Sequence, residues 1–269
     1  MFQHSALRVV PLDRCILHER TDPRRVAKLA DRLASEQILS NPPIVGTHPG
    51  LDGLIVVDGA TRVTALRQLG VPHVIAQVVA YDDPQVSLAG WNHAIGDVSG
   101  AAFRAAVQAD AGVAVRACRH EEAEAALAAD LLLAYAVDGA GACWALDMPA
   151  PGQDATALRH AIFASYARLG PITRTLERQY AGESQVLVVF PTYEKTTLVE
   201  LVLAGHDVPP GITRHAIPER VLRLNLPLRF LREESPLVQK QALLDAWIGE
   251  RTAAQRMRYY QEPTIVFDE

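Results

Sequence analysis

Hydrophobic and polar positions along the first third of the chain alternate between two periods. Val26, Leu29, Ala30 and Leu33 recur at the spacing of one buried helix face, after Asp22 as a cap and Pro23 as a first helical residue. The opposite face is basic, with Arg24, Arg25, Lys28 and Arg32. "LIVVDG" then reads as a short buried strand ending at Asp58-Gly59, and a second helix follows from about Thr61, with Val63, Leu66 and Leu69 inward and Gly70 as its stop. "HVIAQVVA" reads as another strand. In the middle, "EEAEAALAADLLLAYAV" and "ATALRHAIFASYARL" predict helices, "QVLVVF" a strand and "EKTTLVELVLAG" a further helix. "GHDVPPG" is a loop by its glycine and proline content, "ITRHAIPERVLRLNLPL" holds short extended pieces, and "SPLVQKQALLDAWIGERTAAQRMRYY" is a long amphipathic helix.

The expected class is α+β: an N-terminal α/β domain over residues 1–90 and a larger mixed, mainly helical part over residues 91–269. Composition fits a folded chain of one or two domains, since 49% of the 269 residues are hydrophobic and 21% charged. The net charge of −5 argues against broad attraction to nucleic acid or anionic membrane. Cys15, Cys118 and Cys143 are widely separated, with no zinc-type spacing. No apolar run approaches the roughly 20 residues that span a bilayer, and "MFQHSALRVV" is unlike a secretory signal, so a cytoplasmic protein is expected.

Candidate chemistry concentrates in two places. "VVDGATRVTALRQLG" is a strand, a glycine turn and a helix start, where free amides and the helix dipole attract phosphate and Arg62 would add a bidentate partner; the same pattern is also an ordinary connection. "LHERTDPRR" puts His18 and Glu19 ahead of the first helix, where a solvated turn requires neither.

"DGATRVTALRQLG", with "HERTDPRRVAKLADRLASEQILSNPPIV" upstream, resembles the ParB/sulfiredoxin-like superfamily. Sulfiredoxins carry a catalytic cysteine in this loop, where Ala60 stands here, and the downstream sequence shows no convincing helix-turn-helix of a DNA-binding ParB protein. The resemblance is closest to the free L-serine kinases, of the type found in siderophore-biosynthesis clusters. It extends in one order through "HE", "NPPIV", "VDGATR", "WNH", "GITRHAIPERVLRLNLPL" and the ending "RYYQEPTIVFDE".

This resemblance implies a phosphotransferase with an alcohol group as acceptor, converting L-serine to O-phospho-L-serine with ATP or ADP and Mg²⁺ and supplying a siderophore or diaminopropionate pathway. It makes Glu19 the base for the serine hydroxyl. Asp58 would be a second catalytic carboxylate or an Mg²⁺ contact. Gly59, Ala60, Thr61 and Arg62 would bind nucleotide phosphate, with Thr61 standing where histidine is common, and His18 would orient Glu19 or contact phosphate. Ser40, Asn41, Trp91, His93, Thr213, Arg214 and His215 are the substrate-binding candidates, with Arg214 or His215 on the serine carboxylate. The alternative is a ParB-like nucleotide-binding transcriptional regulator contacting DNA, which the negative charge disfavours.

Overall fold

The structure, a computed structural model, describes residues 6–149, 153–179, 181–233 and 235–259. In chain order the first elements are β1 (Leu7–Pro11), β2 (Cys15–Leu17), α1 (Pro23–Glu36), β3 (Ile38–Leu39), β4 (Ile44–Thr47), β5 (Leu54–Asp58), α2 (Ala60–Gln68) and β6 (His73–Ala80). Then come β7 (Ser87–Gly90), β8 (Asn92–Gly96), α3 (Gly100–Ala106), β9 (Val115–Cys118), α4 (His120–Ala128), β10 (Leu132–Asp138), β11 (Cys143–Asp147), α5 (Ala155–Ala167), β12 (Ile172–Thr175), β13 (Gln185–Val189), α6 (Lys195–Leu203) and β14 (Thr213–Ala216). The last are β15 (Leu226–Pro227), α7 (Arg229–Arg232) and α8 (Leu237–Ala253). The mixture is α+β, as the pattern predicts.

Two compact units divide the chain, and the division is not the single boundary near residue 90. One unit holds the described residues of Met1–Ile16, Pro23–Tyr81 and Pro218–Glu269; the other holds Leu17–Asp22 and Asp82–Ile217. Backbone pairing explains both departures. Helix α8 returns to the edge strand β1, where Gln241 Oε1 accepts the Val9 N–H at 2.9 Å and Gln241 Nε2 donates to the Leu7 carbonyl at 3.3 Å. Those groups would otherwise be unpaired at a sheet edge. Leu17–Asp22 joins the second unit because the Val208 N–H donates to the His18 carbonyl at 2.9 Å and the Arg20 N–H to the Val208 carbonyl at 3.0 Å.

The first unit is built on a five-stranded sheet in the order β1-β6-β4-β5-β2, with β4 and β6 parallel. Helices α1 and α2 pack against each other. Their inward residues include Val26, Leu33, Val63 and Leu66, as the helical period predicts.

The second unit contains a six-stranded sheet in the order β12-β8-β13-β10-β11-β9, and this corrects the mainly helical reading of its middle. Only the first half of "EEAEAALAADLLLAYAV" is helical. Asp130 turns the chain at φ 56, and Leu132–Asp138 then runs between β11 and β13 with its side chains buried on both faces. A continuous apolar run of that length has the same pattern in a buried helix and in a central strand, so periodicity alone does not separate them. A two-stranded ribbon pairs β14 with β7 in the same unit. Among the described residues no helix is long and apolar enough to cross a membrane. Of the closing "RYYQEPTIVFDE", residues 260–269 lie outside the described residues.

Candidate active site

The expected site residues fall into two groups, one in each unit. In the first unit, β5 ends at Asp58 and Gly59 turns the chain into α2 with φ 92, a left-handed conformation that glycine adopts without steric cost. The Val63 N–H closes the first helical bond on the Gly59 carbonyl at 3.0 Å. The amides of Ala60, Thr61 and Arg62 therefore have no acceptor within the helix and make its end electropositive. Ala60 is buried, so its side chain packs inward beside the loop.

Arg62 does not stand as an open phosphate partner. Its NH1 donates to the carbonyls of Asn41 and Pro42 at 2.9 and 2.7 Å, and its NH2 donates to Asp58 Oδ2 at 2.5 Å. Three of its five N–H groups are thus spent on holding "NPP" against the loop. Asn41 is committed as well, since its Oδ1 accepts the Arg223 N–H at 2.7 Å. The Ser40 carbonyl accepts the Asn225 N–H at 3.1 Å. Both residues belong to the same unit as the Asp58 loop. The sequence reading missed Arg220, whose NH2 stands 3.5 Å from Asp58 Oδ2.

In the second unit the isolated bridge between Glu19 and Val208 aims the Glu19 side chain at the "PPG" turn. Glu19 Oε2 accepts the Gly211 N–H at 2.9 Å and lies 3.5 Å from the Thr213 hydroxyl. Thr213 Oγ1 is 2.9 Å from His18 Nε2. A hydroxyl has one proton to give: donated to Glu19, it leaves Thr213 as acceptor for the His18 N–H. His18 is only 2% exposed, and its Nε2 meets the Thr213 hydroxyl that lies beside Glu19.

His93 is also placed differently from the expectation of a substrate contact. It is 1% exposed, with Nδ1 2.6 Å from the Tyr166 hydroxyl and Nε2 3.0 Å from the Gly211 carbonyl. A carbonyl only accepts, so Nε2 carries the proton and Nδ1 takes the tyrosine's. Burial pushes its pKa down to about 4, with nearby Arg174 acting in the same direction against the backbone hydrogen bond. The ring is neutral when folded and protonated below about 6.5 when unfolded. Stability from this group is therefore complete above pH 6.5 and is lost as pH falls towards 4, by about 3 kcal/mol. Urea denaturation between pH 7 and pH 4 should show this loss, and His93→Gln should flatten it. An equal slope in the variant would remove His93 as the cause.

Gly211 joins these parts, and its signal in the sequence was only that of a loop glycine. Its N–H holds Glu19, its carbonyl holds His93, its φ is 71, and a Cβ there would run into the Arg174 guanidinium. Gly211→Ala is expected to cost about 1–2 kcal/mol for the left-handed backbone alone and to loosen Glu19. A lowered melting temperature together with reduced turnover is the expected result; an unchanged melt and unchanged turnover would contradict it.

The "TRH" residues do not act as one contact. Successive side chains of a strand point to opposite faces. Thr213 and His215 share the face of His18, whose ring meets that of His215 edge-on at 5.2 Å. Arg214 turns the other way and lies over the Trp91 ring at 5.0 Å.

No family model matches the chain. An ATP-dependent L-serine kinase of Staphylothermus marinus is 36% identical over 87 residues, 32% of this chain and 34% of that protein. The chain thus matches about a third of that relative's length. An ATP-dependent L-serine kinase of Desulfurococcus mucosus is 26% identical over 216 residues, 77% of this chain and 84% of its own. Among solved structures, SbnI with a C-terminal truncation from Staphylococcus aureus superposes with a TM-score of 0.75 at 22% identity, over 93% of this chain and 98% of that one. A free serine kinase variant in complex with ADP gives 0.73 at 17% identity, over 84% and 94%. In sequence this chain is similar to proteins named ATP-dependent L-serine kinase, and its fold is similar to that of SbnI.

Proposed function

We propose that this protein transfers the terminal phosphoryl group of ATP to the hydroxyl of free L-serine, giving O-phospho-L-serine, with ADP as the alternative donor. The observation that carries the reading is the Glu19 carboxylate, which is fixed through one oxygen by the Gly211 amide at 2.9 Å and leaves Oε1 for a substrate proton. A serine hydroxyl is a weak nucleophile at neutral pH, and a positioned carboxylate that takes its proton as attack develops supplies about 10²–10⁴-fold. The serine oxygen bonds to phosphorus, the bond to the departing nucleoside phosphate breaks, and the hydroxyl proton goes to Glu19. Thr213 and His18 hold the base in place.

Charge on the transferring group is met by the loop amides of Gly59 to Arg62 at the start of α2. Among the described residues no group of three or more His, Cys, Asp or Glu is arranged to hold a metal. Asp58 is a single carboxylate whose Oδ2 already faces Arg62 and Arg220, at 2.5 and 3.5 Å. That donor set fits Mg²⁺ delivered on a nucleotide and completed by phosphate oxygens and water, and does not fit a protein-only metal site. When bound, the ion neutralises charge on the phosphate oxygens.

On the serine itself, His215 shares the face of His18 and is the group proposed for the carboxylate, while Arg214 and Trp91 line the opposite face. A place in siderophore or diaminopropionate synthesis, in the cytoplasm, remains a proposal from resemblance. Incubation with L-serine, Mg²⁺ and each of ATP, ADP and CTP tests the reading. O-phospho-L-serine is expected with an adenine nucleotide, and its absence with all three would overturn it.

A further inference from the structure

We propose that Arg220 is the side chain that meets the nucleotide's phosphates at the Asp58 loop, and that Gln77 holds it there; this rests on the nucleotide-dependent reading above. Arg62 is the cation that the loop motif suggests, yet its guanidinium is turned back onto two carbonyls and Asp58, and its side chain is 21% exposed. Arg220 is 40% exposed and makes a longer contact of 3.5 Å with the same carboxylate oxygen. One carboxylate therefore faces two guanidinium groups, and the surplus positive charge lies on the more open of them. A di- or triphosphate is an anion that a fork-shaped cation of this kind binds through two parallel hydrogen bonds.

The segment that carries Arg220 is built to hold it. Gln77 on β6 is 2% exposed; its Nε2 donates to the Glu219 carbonyl at 3.2 Å and its Oε1 accepts the Val221 N–H at 3.0 Å. The two bonds bracket Arg220 from both sides. An apolar residue at position 77 would leave both backbone groups without those bonds. Glu219, Arg223 and Asn225 adopt φ values of 51, 54 and 50, and Asn41 Oδ1 takes the Arg223 N–H at 2.7 Å. Left-handed non-glycine residues persist where the surroundings over-determine them, as this clamp does. Arg220 is thus presented by a fixed backbone, and Gln77 is a positioning residue acting through it.

Calorimetric titration of the full chain with ADP and with adenosine tests the proposal. Arg220→Ala should weaken ADP by about tenfold or more and leave adenosine within about twofold, and Arg220→Lys should recover part of the loss. Gln77→Leu should weaken ADP in the same selective way, and adding it to Arg220→Ala should bring little further loss, because the two act as one unit. Arg62→Ala should lower the melting temperature, whereas Arg220→Ala should not. Unchanged ADP affinity in Arg220→Ala, or equal losses for ADP and adenosine, would overturn the proposal even if Gln77→Leu fails to fold. An unmutated protein that binds no ADP would overturn the nucleotide reading itself.

Discussion

Glu19→Gln should lower turnover by roughly 10²-fold or more while nucleotide affinity stays nearly unchanged. The substitution is nearly isosteric, and its amide oxygen can still accept the Gly211 N–H that Glu19 Oε2 accepts at 2.9 Å. The local structure is kept and only proton acceptance is removed. Glu19 makes its hydrogen bonds to Gly211 and Thr213, so the substitution leaves the groups of the Asp58 loop chemically unaltered. Near-normal turnover in this variant would remove Glu19 from the chemistry. A large loss of ADP affinity would show that its charge matters to the donor instead.

The second large effect concerns recognition of the amino acid. A kinase for a free amino acid must neutralise a carboxylate close to the hydroxyl it activates. On strand β14 the residue that shares the face of Thr213 and Glu19 is His215, whereas Arg214 is turned to Trp91. His215→Ala should therefore raise the KM for L-serine by about tenfold or more, as expected for loss of a charge-assisted bond. Arg214→Ala should raise it less, and both should leave the dissociation constant of ADP within a few-fold. Serine methyl ester, which lacks the anion, should be a poor substrate and should lose little more in His215→Ala. If Arg214→Ala has the larger effect on serine KM, the carboxylate lies on the Trp91 face.

Local signals carried much of the structure. Capping, helical period and the glycine after a strand located α1, α2, β5 and β6 from the sequence, because each depends on neighbours along the chain. The six-stranded sheet was less legible, since the buried run Leu132–Asp138 lacks the alternation that marks a half-exposed strand. The site was legible in its residue types and less so in its roles. Spacing placed Arg62 at the loop but could not show that the carbonyls of Asn41 and Pro42 occupy it, and the resemblance made His93 a substrate candidate although Tyr166 and Gly211 hold it as a neutral buried ring. Gln77 and Arg174 gave no motif signal, and Arg220 stood within "GITRHAIPERVLRLNLPL" with no role attached to it. Their positions come from contacts between distant stretches, which a single sequence does not display.

The central claim is most directly tested by following ATP, Mg²⁺ and the unmutated protein by phosphorus NMR with and without L-serine. The account predicts that ATP is consumed only when L-serine is present, with ADP and O-phospho-L-serine appearing in equal amounts. ATP consumption that releases inorganic phosphate and does not depend on L-serine, or no O-phospho-L-serine from ATP or from ADP in its place, would contradict it.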